Sequence, residues 1–243
     1  MRRSLIGMTV AFSLASAAPA VAHEPPFSWT GLYVGANAGY SWGRAAADLE
    51  VSSVDGPIGS ASRSIDVNGW LGGGHVGYSW QSQRWVYGVE ADFQWTGEDG
   101  DVSACVGPAC ATASYELDWF GTLRGRAGYL LDPPSLLYVT GGFAYGHLTA
   151  NFSGPALSIS DTATRAGWVV GGGFERALHR NWTLRAEYLY MDLGTMRTVL
   201  ASTSQPAAAT FNQPTATVRT DFTDQIFRVG VSYRFGEAYA PLK

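Results

Sequence analysis

The chain of 243 residues carries 30 Gly, 9 Trp, 12 Tyr and 11 Phe, with 15% charged residues and a net charge of −4. Glycine and aromatic residues at this level point to all-β structure with close backbone approach, not to a helical protein. The acidic balance and the lack of any Lys/Arg run exclude a basic nucleic-acid binder.

Residues 1–22 read as a cleavable export signal. Met1-Arg2-Arg3 is a cationic start, Ser4 to Ala17 is an apolar core, and Ala20-Val21-Ala22 is a small-x-small cleavage site. Cleavage is expected between Ala22 and His23. The apolar run is too short for an anchor and leads into Pro-rich polar sequence. No later stretch reaches the ~20 apolar residues of a membrane helix. Residues 23–243 are expected to form a single barrel, with strands within about 29–235 and a short tail at 236–243.

The period of the pattern carries more than its hydropathy. From Gly31 to Trp42, the residues Leu32, Val34, Ala36, Ala38, Tyr40 and Trp42 share one face. Gly31, Tyr33, Gly35, Asn37, Gly39 and Ser41 share the other, as in a strand between two different surroundings. Next, Trp70, Val76, Tyr78 and Trp80 oppose His75 and Ser79. Tyr87, Val89, Ala91, Phe93 and Trp95 oppose Gly88, Glu90, Asp92 and Gln94. Leu117, Trp119, Leu123, Ala127 and Tyr129 oppose Asp118, Thr122, Arg124 and Arg126.

Four more segments follow. Val139, Phe143 and Tyr145 oppose Tyr138 and Thr140, and Trp168, Val170 and Phe174 oppose Glu175. Trp182, Leu184, Ala186, Tyr188 and Tyr190 oppose Thr183, Arg185 and Glu187. Phe227, Val229, Val231, Tyr233 and Phe235 oppose Arg228, Gly230, Ser232 and Arg234. Most of the eight are long enough to cross a bilayer as tilted strands of ~9–11 residues.

Residues 43–67, 96–113, 147–164 and 194–221 read as long Ser/Thr/Ala/Gly/Asp-rich loops, and 81–84, 131–135 and 178–181 as tight turns. Long loops on one side and short turns on the other suit an outer-membrane barrel. The apolar faces end in rings such as Trp42, Trp80, Trp95, Tyr129, Trp168 and Trp182, which prefer the headgroup level. A soluble lipocalin-like barrel is the alternative, but it would crowd bulky side chains from eight strands into a narrow interior. The expected fold is therefore all-β, an eight-stranded antiparallel up-and-down transmembrane barrel. Its large apolar residues face lipid, and its Gly, Ser, Thr and charged residues face the lumen. Glu90, Asp92, Arg124, Arg126, Glu175, Arg185, Glu187, Arg228 and Arg234 then share the interior. Buried unpaired charge is costly, so these residues are expected to pair.

In order, "WTGLYVGANAGYSWG", "GWLGGGHVGYSWQ", "WVYGVEADFQW", "WFGTLRGRAGYL", "LLYVTGGFAYG", "GWVVGGGFERAL", "NWTLRAEYLYMDLG" and "FRVGVSYRF" resemble the strands of the small porin-like outer-membrane β-barrel family. That group includes the outer membrane immunogenic proteins of Gram-negative bacteria and is related to opacity-type and OmpA-type barrels. The resemblance covers nearly the whole mature chain. It implies an eight-stranded outer-membrane barrel with surface loops and no catalytic residues. Roles in the family range over envelope integrity, surface or host contact and, in some members, haem binding, and none attaches to a named residue here. Such barrels usually end on the aromatic residue of the last strand, whereas here Phe235 is followed by "GEAYAPLK".

Other chemistry fares worse. Gly72, Gly74 and Gly77 fit G-x-G-x-x-G, but no helix pattern follows, so a dinucleotide site is not supported. Cys105 and Cys110, in "CVGPAC", have no further metal ligands nearby and suit a loop disulfide in an oxidising compartment. His23, His75, His147 and His179 do not cluster. A lipid-A-modifying enzyme would need a His/Ser pair at the outer rim, where His147 has only Thr149 beside it. A structural or surface-interaction role is expected, with no cofactor, metal or nucleic acid. The expected partners are outer-membrane lipid and a ligand or cell surface met by the loops, with the chain a monomer. A narrow solute channel is the alternative, set against an eight-stranded interior that side chains fill.

Overall fold

The structure is a computed structural model that describes residues 27–53, 56–106, 109–153, 158–179, 181–200 and 215–235. The Ala22–His23 junction and the tail after Phe235 lie outside them. The strands are β1 (Gly31–Ser53), β2 (Gly56–Ser82), β3 (Trp85–Val106), β4 (Ala109–Asp132), β5 (Ser135–Ser153), β6 (Ser158–Ala177), β7 (Trp182–Leu200) and β8 (Thr215–Arg234). Each pairs antiparallel with the next, and β8 closes on β1. Closure leaves no strand without a partner on either side, the condition for a sheet in a medium without water.

The alternation read from sequence decides which side is which. Trp70 and Phe143, on the outer face, are 75% and 73% exposed, while Arg124 on the inner face is 1% exposed. Glycine makes the narrow lumen possible at particular places. A Cβ on Gly77 would lie 2.4 Å from the Tyr33 ring, and one on Gly173 would lie 2.7 Å from the Tyr138 hydroxyl. Both phenols cross the interior over those gaps.

The strands run 19 to 27 residues, about twice what a bilayer needs. The described residues of the four long connections expected as loops are therefore mostly paired β-structure. Gly43–Ser53 pairs with Gly56–Val67, and Glu98–Val106 with Ala109–Leu117. The extensions do not continue the barrel. The β2–β3 ladder stops at Asn68–Asp99 and the β6–β7 ladder at Trp168–Asp192. Above the rim, β7-β8-β1-β2 and β3-β4-β5-β6 rise as two separate four-stranded sheets.

Bulges mark the split. The register shifts at Trp95/Glu98, at Leu117/Trp119 and at Asp192/Thr195, and an extra residue of this kind bends and twists a strand. At the last of these, Gly194 takes φ +73°, and its N–H donates to Asp192 Oδ1 at 2.7 Å. The shift at Leu117/Trp119 also reverses one expected facing. Leu117 is buried inside and Asp118 is exposed outside, because the irregularity swaps parity above Trp119.

The interior is layered. An apolar upper layer includes Leu71, Phe120, Leu189 and Ile226, with Ile65, Val67, Leu117, Leu193 and Phe222 above them. This departs from the expected wholly polar lumen. The two sheets of the head cover each other's inner faces, so large apolar residues belong there. A charged middle layer follows. At the periplasmic mouth, Phe27 and Trp29 pack with Val86, Leu130, Leu136 and Tyr138 as an apolar plug.

Candidate functional site

The middle layer gathers all nine ionisable residues read as luminal. β4 carries Arg124 and Arg126, and β3 carries Glu90 and Asp92. The ladder sets Glu90 opposite Arg124, Asp92 opposite Thr122 and Gly88 opposite Arg126. Arg124 Nη2 meets Glu90 Oε1 at 2.6 Å and Asp92 Oδ2 at 2.8 Å, and Nη1 reaches Glu187 Oε1 at 3.1 Å. Its Nε donates to Thr122 Oγ1 at 3.0 Å. One guanidinium thus ties three carboxylates from two strands.

Arg126 turns elsewhere. Its Nη2 lies 2.6 Å from Glu175 Oε2, and its distance to Glu90 is 3.7 Å. The guanidinium carbon sits 4.1 Å from the Tyr138 ring centroid, within cation–π range. Arg185 Nη1 takes the other Glu90 oxygen at 2.6 Å. Arg228 Nη2 joins Glu187 at 2.6 Å and Asp92 at 3.0 Å. Arg234 bridges Glu175 at 3.3 Å and donates from Nη1 to the Trp29 carbonyl at 2.8 Å. Tyr33 and Tyr138 donate to Glu90 and Glu187 at 2.8 and 2.9 Å. Acids and bases interlock as charge-assisted bonds, which is how charges survive in a dry interior.

Several members escaped the sequence pattern. Trp29 precedes β1 yet is fully buried. Its backbone N–H donates to Gln81 Oε1 at 2.8 Å, its indole donates to the Pro133 carbonyl at 3.1 Å, and Arg234 lies over its ring. It continues the inward parity of Tyr33, but it precedes the ladder, so its partners could not be read from the strand pattern. Glu98 and Asp224 are buried above the network. Thr96 donates to Glu98 Oε1 at 3.1 Å, while Glu98 Oε2 and both Asp224 carboxylate oxygens have no hydrogen-bond partner among the described residues. Glu98 was hidden by its place in an expected loop, and Asp224 lies between an expected loop and the segment read as the last strand.

The other candidates separate. His75 is luminal, with Nε2 at 2.9 Å from Ser232 Oγ and Nδ1 at 3.4 Å from Asn37. His147 faces outward and stacks on Trp119 at 5.5 Å, with Thr164, not serine, as its hydroxyl neighbour at 3.4 Å. Thr149 donates to Asp118 at 3.2 Å. His179 lies exposed in the β6–β7 turn, and His23 falls outside the described residues. The β3–β4 ladder sets Cys105 opposite Cys110, and their side chains also lie outside the described residues.

Comparison with known proteins follows the same lines. Residues 8–235 match the profile of the family described as outer membrane protein beta-barrel domain. The chain is 39% identical over 183 residues to the 31 kDa outer-membrane immunogenic protein of Brucella melitensis, covering 73% of this chain and 76% of that one. It is 30% identical over 234 residues to the 25 kDa outer-membrane immunogenic protein of the same organism, covering 91% of each. Among solved structures, the outer membrane protease OmpT of Escherichia coli aligns with 86% of this chain and 98% of its own. The TM-score is 0.50 at 9% identity, a likeness of fold alone.

Proposed function

The chain belongs to the outer membrane protein β-barrel family, and from that premise we propose that it is a sealed, non-enzymatic barrel whose head makes contacts at the cell surface. It resides in the outer membrane of a Gram-negative bacterium, as its relatives do. The observation that carries the reading is the contrast between the two ends of the strands. Inside, three stacked layers of side chains fill the bore. Outside, β-structure continues past the rim as two four-stranded sheets. A channel has no use for the first, and a bare membrane plug has no use for the second. The relatives named immunogenic fit a protein with an ordered surface exposed to the outside. The barrel acts as a monomer, since its strands close on themselves and leave no edge within the bilayer.

The test has two arms. In planar bilayers the purified barrel is expected to be electrically silent. Discrete single-channel steps would replace the sealed reading with transport. On intact cells, a protease or an antibody raised against the β1–β2 and β3–β4 hairpins is expected to reach its target. Replacing those hairpins with two-residue turns should leave a folded barrel that no longer contributes to surface attachment. A head inaccessible on intact cells would remove the surface-contact role.

A further inference from the structure

At the outer aromatic girdle the lipid-facing surface is apolar almost all the way round, but it changes character across β8, β1 and β2. There Gln225, Trp42 and Asn68 form one row across the three strands, and Thr223, Arg44 and Asp66 form the next row outward. Together they line a cavity of about 310 Å³. Below it the surface is greasy again, with Tyr40 and Trp70 edge-on at 5.2 Å and Phe227 and Val229 exposed.

The polar groups are oriented, and in one sense. Tyr40 donates to Asn68 Oδ1 at 2.7 Å, and Tyr188 donates to Gln225 Oε1 at 2.8 Å. Each girdle tyrosine thereby occupies an amide oxygen, and no described residue accepts from the two amide nitrogens. Arg44 behaves likewise. Its Nε donates to Asp66 Oδ1 at 3.4 Å, which holds the guanidinium while no described residue takes its two terminal nitrogens. The Trp42 ring stands beside Tyr188 at 6.4 Å. The cavity therefore presents two amide donors, an indole and the exposed Arg44–Asp66 pair, whose guanidinium keeps its terminal fork free, directly above an apolar wall.

These solvent-facing donors suit an oxygen-rich, anionic group that displaces their water, and a guanidinium fork suits phosphate in particular. The apolar wall beneath calls for acyl chains on the same molecule. We propose that this face binds a glycolipid of the outer leaflet, with its phosphorylated sugar in the cavity and its chains lying along β8, β1 and β2. Asp66 is the positioning residue for Arg44. Tyr40 and Tyr188 play the same part for the two amides. The assignment rests on the outer-membrane placement of the barrel and not on the surface-contact role of its head.

The test uses the purified full-length barrel in nanodiscs, with phosphorylated lipid A at a small fraction of phosphatidylcholine. Native mass spectrometry counts the glycolipid kept on gentle release. Wild type is expected to keep one. The combined Arg44→Ala, Asn68→Ala and Gln225→Ala variant should lower retention at least about tenfold, the scale of losing a charge-assisted hydrogen bond. Arg84→Ala, at the opposite rim, should leave retention unchanged. Enzymatic removal of the lipid A phosphates should mimic the triple variant, and excess glucosamine-1-phosphate should displace little, since it lacks chains. The heat-dependent gel shift of a folded barrel verifies each variant. A photoreactive side chain in place of Thr223 in the otherwise wild-type protein gives a second readout, and it should label lipid A over phosphatidylcholine. Equal retention by the folded triple variant, equal retention of dephosphorylated lipid, or labelling of phosphatidylcholine alone would each overturn the proposal. Full displacement by the free sugar phosphate would overturn the lipid assignment in favour of a soluble ligand.

Discussion

Arg124 and Glu90 stand directly opposite one another in the β3–β4 ladder and meet at 2.6 Å, both almost wholly out of solvent. Arg126, two residues further on, has glycine opposite it and crosses instead to Glu175 on β6, also at 2.6 Å. Neighbouring arginines on one strand thus have different nearest acids, Arg124 tying β4 to β3 and β7 and Arg126 tying β4 to β6.

That division sets the first expectation. Arg126→Ala leaves Glu175 buried with a weakened partner and should lower stability by ~3–5 kcal/mol, read as a lower urea midpoint in detergent or liposomes. Adding Glu175→Ala should cost far less than the sum of the two single changes. A cycle of Arg126 with Asp92 should be close to additive, because the two share no direct contact. Strong coupling with Asp92 and none with Glu175 would contradict the arrangement.

Asp224 should respond with the opposite sign. Its carboxylate is buried without a hydrogen-bond partner among the described residues, and a buried unpaired carboxylate is a cost. Asp224→Asn keeps the shape and removes the charge, so stability should hold or rise by ~1–2 kcal/mol. Asp92→Asn, which takes charge away from Arg124 and Arg228, should destabilise. Comparing the two urea midpoints checks the contrast.

Trp29 closes the periplasmic mouth through contacts with Pro133, Gln81 and Arg234. Trp29→Ala should cost ~3–5 kcal/mol as a large-to-small core change. Conductance should nevertheless stay at zero, because the charged layer above the plug still fills the bore. Ion flow through this variant would show that the plug alone seals the barrel.

Cys105 and Cys110 face each other in the backbone register of the β3–β4 hairpin. A bond between them is expected in exported protein, so a thiol reagent should label neither until reductant is added. Labelling of both without reductant would mean that the hairpin is held by its ladder alone.

Period-two alternation needs only the local chain. The eight strands, their outward faces and the inward position of all nine charged residues were therefore legible from residue parity. Parity holds as long as no residue is inserted, and it failed where one was: the irregularity beside Trp119 turned Leu117 inward and Asp118 outward. Glu98 keeps the inward parity of Glu90 and Asp92 and was missed because its segment read as loop. The composition of residues 43–67 and 194–221 looked like loop, because small polar residues dominate both. Within them, residues 43–53, 56–67, 195–200 and 216–221 are strands because their neighbours pair with them, and pairing is not written in either strand alone. Arg124 could be placed facing the lumen by sequence. That it would reach Glu187 as well as Glu90 was decided by the curvature of the closed sheet, which brings β7 within a side chain's length of β4. Trp29 shows the same division most plainly: its odd position continues the inward parity of Tyr33, but it precedes the strand, and only the shape of the mouth it fills gives it Pro133, Gln81 and Arg234 as partners.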